Sequence, residues 1–303
     1  MPTQSPTTLP VGPGSWFEAG ASGPGGLRRY YLYQPPQLRA EEGLLPLMVM
    51  LHGCGQTALD FACTTRMHQL AARERFFVLY LEQDRLANSK GCWNWSERTS
   101  GRAMAEAATL MAAVDQVCNQ YPVDSPRIAV AGLSAGATMA ALVASFFPQR
   151  IKAVAMHSGV APGAAMSAMS AMSAMTGLHA PPITFTAVGK AVRAAALGTT
   201  LPSLMVLHGD ADEVVAPGNA DSTAAIWSMA TGSAPGIERT WQRGRHRTVH
   251  ETEFTGKGRT RVMLCKVKGL GHAWSGGTAG LPFSDTSGPC ATRMFWTFAK
   301  SQF

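Results

Sequence analysis

Apolar residues along this chain fall into short unbroken runs, separated by longer stretches in which they recur at helical spacing. Runs such as LPLMVML (45–51) and the IAVA of RIAVA (127–131) are apolar at every position, the pattern of strands buried on both faces. Strands are predicted at 27–33, 46–52, 76–82, 127–133, 151–157, 203–208 and 261–267. Helices are predicted at 103–120, 134–147, 218–231 and 287–300. Strand–helix alternation of this kind predicts an α/β fold whose mostly parallel central sheet carries helices on both faces. No run reaches the 18 or so apolar residues of a membrane span. The opening MPTQSPTTLPVGPGS has neither a basic nor an apolar leader region. Residues 1–26 therefore read as a flexible lead, and 27–303 as one domain. On that reading the protein either stays inside the cell or starts after a cleaved leader.

Composition changes the picture little. With 303 residues, 46% hydrophobic and 15% charged, the chain can bury one large core. The formal charge of +7 is concentrated: residues 238–268 hold nine Lys or Arg against three Glu, which is +6 of it. That stretch reads as a long twisted hairpin with a solvated basic face. It lacks the aromatic interleaving and the modules of nucleic-acid binding, so neither nucleic acid nor membrane is expected as a partner. The six cysteines at 54, 63, 92, 118, 265 and 290 show no C-x-x-C spacing, and no metal is expected. An AMS repeat sets Met166, Met169, Met172 and Met175 three residues apart. In a helix this is a slowly winding methionine stripe, which reads as a low-complexity surface insertion rather than a lid over substrate.

The chemistry is carried by GLSAG at 132–136, with Ser134 at its centre. Between a buried strand and a helix, Gly-x-Ser-x-Gly describes a sharp turn that lifts a serine hydroxyl clear of the backbone. A serine needs a base, and the base needs an orienting acid; on this kind of turn the chain order is Ser, then acid, then His. SLMVLHGDADEVV (203–215) ends a strand in a loop with Asp210 and Asp212. Asp210 lies nearest the strand and suits a turn cap, so Asp212 is the better acid. Among the candidate bases His157, His208, His246, His250 and His272, only His272 follows the acid in a Gly-rich loop. LPLMVMLHGCGQ (45–56) ends in a His-Gly loop whose backbone can face an oxyanion. The N–H groups of Cys54 and Ala135 are assigned to that hole.

LHGCGQ, CWNW (92–95), AGLSAGA (131–137), HSG (157–159), HGDADEVV (208–215) and GHAWSGG (271–277) together resemble the poly(3-hydroxybutyrate) depolymerase family of esterases. That family is similar in turn to the feruloyl and acetylxylan esterases of carbohydrate esterase family 1. The resemblance covers about residues 27–300. It implies an α/β-hydrolase fold and cofactor-free ester hydrolysis through Ser134, Asp212 and His272, with short-chain polyhydroxyalkanoates or their oligomers as substrate; feruloyl or acetylxylan esters are the alternative. It also implies Trp93 and Trp95 near the mouth of the site, and Trp274, two residues beyond His272, is added to them as a substrate contact. The residues alone leave Cys54 and Cys92 equally open as free thiols or as a pair. The resemblance favours the bridge, and with it an extracellular or periplasmic location rather than the cytoplasm. Only 31 residues follow His272, so amorphous or soluble oligomers are expected rather than crystalline granules. Ala137, where glycine is frequent in such proteins, and the AMS repeat depart from the pattern.

Overall fold

A computed structural model describes residues 8–177 and 200–303. In chain order the strands of its main sheet are β1 (Ser15–Gly23), β2 (Gly26–Gln34), β3 (Leu45–Leu51), β4 (Phe77–Leu81), β5 (Val123–Leu133), β6 (Ala153–His157), β7 (Ser203–Gly209), β8 (Ala234–Trp241), β9 (Val249–Gly256) and β10 (Arg259–Val267), and a separate short pair joins Trp274–Ser275 to Ser284–Asp285. Helices α1 (Ala58–Thr65) and α2 (Met67–Glu74) lie between β3 and β4. α3 (Arg102–Gln120) precedes β5 and α4 (Ala135–Phe146) follows it. α5 (Ala168–Met175), α6 (Gly218–Thr231) and α7 (Ala291–Lys300) complete the described helices.

The ten strands form one sheet in the order β1-β2-β4-β3-β5-β6-β7-β10-β9-β8. The six from β4 to β10 pair in parallel, and an antiparallel pair closes each edge. The period-two alternation of side chains sorts the core onto two faces. Leu47, Val49, Leu51, Leu204 and Val206 pack with α3, α4 and α6. Met48, Met50, Met205 and Leu207 pack with α1, α2 and α7. Every residue of β3 and β7 is buried, which is why these strands read as unbroken apolar runs rather than alternating ones. The predicted α/β architecture holds, and all seven predicted strands are present.

Three readings of the sequence need correction. The lead expected over 1–26 does not extend that far: Ser15–Gly23 is strand β1, paired residue by residue with β2 from Ser15↔Gln34 to Gly23↔Gly26. Its weak signal follows from its place at the sheet edge, where most of its side chains stay exposed. α1 and α2 were not anticipated, although Thr57 and Asp60 form a reciprocal capping box at the start of α1, a signature readable from sequence. The basic stretch does contain a hairpin, β9–β10, but β8 adds a further strand outside it.

Candidate active site

The segments that carry Cys54, Trp93, Ser134, Asp212 and His272 follow the carboxyl ends of parallel strands, where open α/β sheets hold their ligands. Ser134 follows β5 directly and sits at φ 56°, ψ −122°, outside the regions L-residues favour. The turn is possible because of its glycines. A Cβ on Gly132 would stand 2.3 Å from the Gly136 carbonyl carbon, and one on Gly136 would stand 2.1 Å from the Leu51 oxygen. Strand β3, strand β5 and helix α4 thus meet with only backbone between them. The Ser134 N–H donates to the His157 carbonyl at 2.9 Å, which pins the turn to the end of β6. Its side chain is half-buried, and among the described residues Oγ has no hydrogen-bond partner.

Asp212 and His272 come together across sixty residues of sequence. His272 Nδ1 donates to Asp212 Oδ2 at 2.8 Å, leaving Nε2 as a lone-pair acceptor. The carboxylate is fully buried. Its other oxygen accepts the N–H groups of Val214 and Val215 at 3.0 and 2.9 Å. Burial works to raise the pKa of Asp212, but the hydrogen bonds from His208, His272 and the Val215 N–H outweigh it and hold the carboxyl well below the usual range. Asp210, the rejected alternative, is exposed and caps the Gly269 N–H. His246 and His250 lie exposed on the basic edge.

Two histidines considered as bases turn out to position the others. His208 Nε2 lies 2.9 Å from the Val215 carbonyl and 3.4 Å from Asp212 Oδ2, so its one proton is shared between two acceptors. His157 is fully buried. Its carbonyl takes the Ser134 N–H, and its Nε2 accepts the Ser275 N–H at 3.0 Å. One residue, through its backbone carbonyl and its ring, therefore ties the serine turn to the loop that carries His272. Burial, with His208 and His272 close by, drives its pKa far down and keeps it neutral. A histidine ending a strand was the available signal for both, but which atoms it would reach depends on packing.

The His-Gly loop after β3, assigned from the sequence to an oxyanion hole, is similarly braced. Gly53 lies against Ser134, where an added Cβ would be 3.6 Å from the serine Cβ. Its N–H is held by Gln56 Oε1 at 2.9 Å. The Cys54 N–H donates to no group among the described residues, and Ala135 opens α4, where the helix offers its N–H no partner. His52 donates from Nδ1 to the Gly53 carbonyl at 2.8 Å and accepts the Gln83 N–H at Nε2. Burial lowers its pKa to about 4, so this neutral tautomer persists. A disulfide joins Cys54 to Cys92, with Cα atoms 4.2 Å apart. Behind it Glu106 of α3 accepts from Arg28 at 2.7 Å, from Gln83 at 2.7 Å and from the Asn94 N–H at 2.6 Å, all buried. The other four cysteines are free.

The expected aromatic wall is not there. Trp93 and Trp274 are 1% and 0% exposed, and Trp95 is 8% exposed. Trp93 Nε1 donates to the His52 carbonyl at 2.9 Å, and Trp274 stacks on His157 with its centroid 5.2 Å away. Their rings are buried against His52 and His157, beneath the loops that carry Cys54 and His272. The aromatic ring that meets His272 is Phe283, 43% exposed and edge-on at 6.3 Å. It is held at the surface by its own carbonyl, which accepts the Trp274 N–H at 2.7 Å.

The AMS repeat forms α5, and the helix is docked at both ends. The Met166 carbonyl accepts the Arg98 and Thr99 N–H groups in the loop after CWNW. The Met175 carbonyl accepts the Ala216 N–H just beyond Val215, and Asn219 Nδ2 donates to the Ala174 carbonyl. Met166, Met169 and Met172 stay 47%, 90% and 67% exposed. Among the described residues no group of His, Cys, Asp and Glu side chains is arranged to hold a metal ion, and no helix is long and apolar enough to cross a membrane.

Comparison with known proteins shows the family and the fold. The sequence model described as "Esterase PHB depolymerase" matches residues 28–244. Poly(3-hydroxyalkanoate) depolymerase C of Paucimonas lemoignei is 29% identical over 231 residues, 75% of this chain and 54% of its own length. Feruloyl esterase B of Neurospora crassa is 30% identical over 212 residues, 67% of this chain and 70% of its own. The chain thus spans about half the length of the depolymerase it matches. Among solved structures, an acetyl xylan esterase from Aspergillus awamori superposes with a TM-score of 0.73 at 20% identity, covering 86% of this chain and 94% of that one. The last likeness speaks to the fold.

Proposed function

The chain belongs to the PHB depolymerase family of esterases, and from that membership we propose that it hydrolyses carboxylic esters through Ser134, His272 and Asp212, with short-chain polyhydroxyalkanoates or their oligomers as substrate. The observation that carries the reaction is the 2.8 Å bond between His272 and a buried Asp212 at the sheet end that also holds the strained Ser134. Asp212 fixes the proton on Nδ1, so Nε2 can take the Ser134 proton as Oγ attacks the ester carbon. The tetrahedral oxyanion is met by the Cys54 and Ala135 N–H groups, each worth about 3–4 kcal/mol to the transition state. Collapse expels the alcohol, which takes its proton from His272. Water then attacks the acyl-Ser134 with His272 again as base, releasing the acid.

The rim supports the polyester. Phe283 beside His272, Val214 beside Asp212 and the exposed methionines of α5 offer apolar surface, which suits an aliphatic backbone better than a sugar. The feruloyl esterase relative supports the second reading, a phenolic or acetyl ester of a carbohydrate. Hydrolysis rates on hydroxybutyrate trimers, methyl ferulate, acetylated xylan and p-nitrophenyl butyrate separate the two. The proposal expects the trimer to have the highest kcat/KM of the natural esters, and a higher value for methyl ferulate or acetylated xylan overturns it. The Cys54–Cys92 bridge beside the oxyanion loop supports action in an oxidising compartment, which peptide mapping of protein isolated from its source tests.

A further inference from the structure

At the opposite end of the sheet from Ser134 lies a cavity of about 690 Å³, within the size range of small-molecule sites. It is formed where β6 and β7 begin, where α6 ends, and at the turn between β9 and β10. The seven residues of β7 separate it from the catalytic end by about 20 Å. Four cationic side chains line it: Lys152, Lys257, Arg259 and Arg261.

Lys257, Arg259 and Arg261 belong to the chain's basic stretch, and Lys152 joins them from the start of β6. Within 238–268, Arg239 is paired with Glu251 and Glu253, Arg247 with Asp285, and Lys266 with Asp221. Among the described residues Lys152, Lys257, Arg259 and Arg261 have no carboxylate partner. Residues 1–7 and 178–199 contain no Asp or Glu, so every side-chain carboxylate of the protein is accounted for.

Arg261 is the built element. It is 8% exposed, yet only Nη2 is engaged, by the Leu201 carbonyl. Nε and Nη1 have no partner among the described residues, and neither is fully enclosed, in a residue that lines the cavity. Burial and the neighbouring Arg259 both press its pKa down, a cost that an anion would remove. The carbonyl end of α6 opposes this with about half a negative charge. That half charge, and even a full negative charge on the main chain of Phe303, would leave the cavity at about +2.5.

We propose that this cavity binds a small molecule bearing two or more phosphate charges, held by Arg261 and Arg259 with Lys152 and Lys257 around them. A single carboxylate, such as a released hydroxy acid, would neutralise only one of the four. Planar guanidinium forks match phosphate oxygens in pairs. The site does not depend on the esterase reading, because it shares no residue with the catalytic end.

The test is isothermal titration calorimetry with inorganic pyrophosphate, on the wild-type protein and on Ser134→Ala, Arg261→Gln and a Lys257→Gln/Arg259→Gln double variant. Saturable one-to-one binding is expected. It should persist in Ser134→Ala and weaken at least tenfold in the other two. Lys257 and Arg259 are exposed, so the double variant remains informative if Arg261→Gln misfolds. No saturable binding, binding untouched by the double variant, or citrate bound as tightly as pyrophosphate overturns the proposal.

Discussion

Replacing Asp212 by Asn changes one atom and should disable His272 while leaving it in place. In the wild-type protein Oδ1 accepts from the Val214 and Val215 N–H groups, and Oδ2 accepts from His272 Nδ1. An Asn keeps its oxygen on the two N–H groups, since they can only donate. Its NH2 must then face His272 Nδ1, which becomes the acceptor, and the ring proton moves to Nε2. Nε2 can no longer take the proton of Ser134. The expected loss is about 10⁴ in kcat, or roughly 5.4 kcal/mol of transition-state stabilisation. The assay is p-nitrophenyl butyrate hydrolysis, with thermal unfolding as a check on folding. Asp210→Asn serves as control, because Asp210 is exposed and holds only the Gly269 N–H; its loss should stay under about tenfold. The folded pKa of Asp212 lies below its unfolded value of about 3.9, so its stabilisation is present above that pH and fades as pH falls toward the folded pKa. Asn cannot titrate, so the Tm gap between wild type and variant should narrow below about pH 4. A loss in kcat under tenfold for Asp212→Asn, or an equal loss for Asp210→Asn, refutes the assignment.

Trp274→Ala should cost about 3–5 kcal/mol in urea unfolding, and Trp93→Ala should lower kcat on long and short esters alike by releasing the His52 carbonyl; a loss confined to oligomers would return these rings to the substrate. Phe283→Ala should raise KM for hydroxybutyrate oligomers with little change for p-nitrophenyl acetate, and equal changes on both would remove Phe283 from the binding surface. Reducing the Cys54–Cys92 bridge, whose residues are 38 apart, should lower stability by about 4 kcal/mol in the chain-entropy model, measured as denaturation midpoints with and without dithiothreitol. Gly136→Ala should prevent soluble folding, since its Cβ would meet the Leu51 oxygen at 2.1 Å, whereas Gly218→Ala, with nothing within 4 Å, should leave Tm within a few degrees.

The parallel core was legible because its strands are buried on both faces, and a run such as LPLMVML has no other comfortable conformation in water. The serine turn was legible for a related reason: Gly132, Ser134 and Gly136 are local requirements of one sharp bend, so they sit together in sequence. Asp212 and His272 were legible as residue types in the right chain order. Their 2.8 Å contact exists only because β7 and β10 are neighbours in the sheet. What the sequence could not carry is the direction in which a large side chain turns. Trp93 and Trp274 sit beside catalytic motifs, yet fill the space beneath them, and Phe283, in an unremarked loop, takes the exposed place beside His272. The edge strands β1 and β8 were obscure because exposed strands lose the apolar signal that marks buried ones. The basic stretch looked like one charged face until folding paired Arg239, Arg247 and Lys266 with acids and gathered Lys257, Arg259 and Arg261 around a cavity with Lys152. Sequence determines which charges exist and how many; which of them are neutralised depends on distances of a few ångströms between residues far apart in the chain, and only the packed structure decides those.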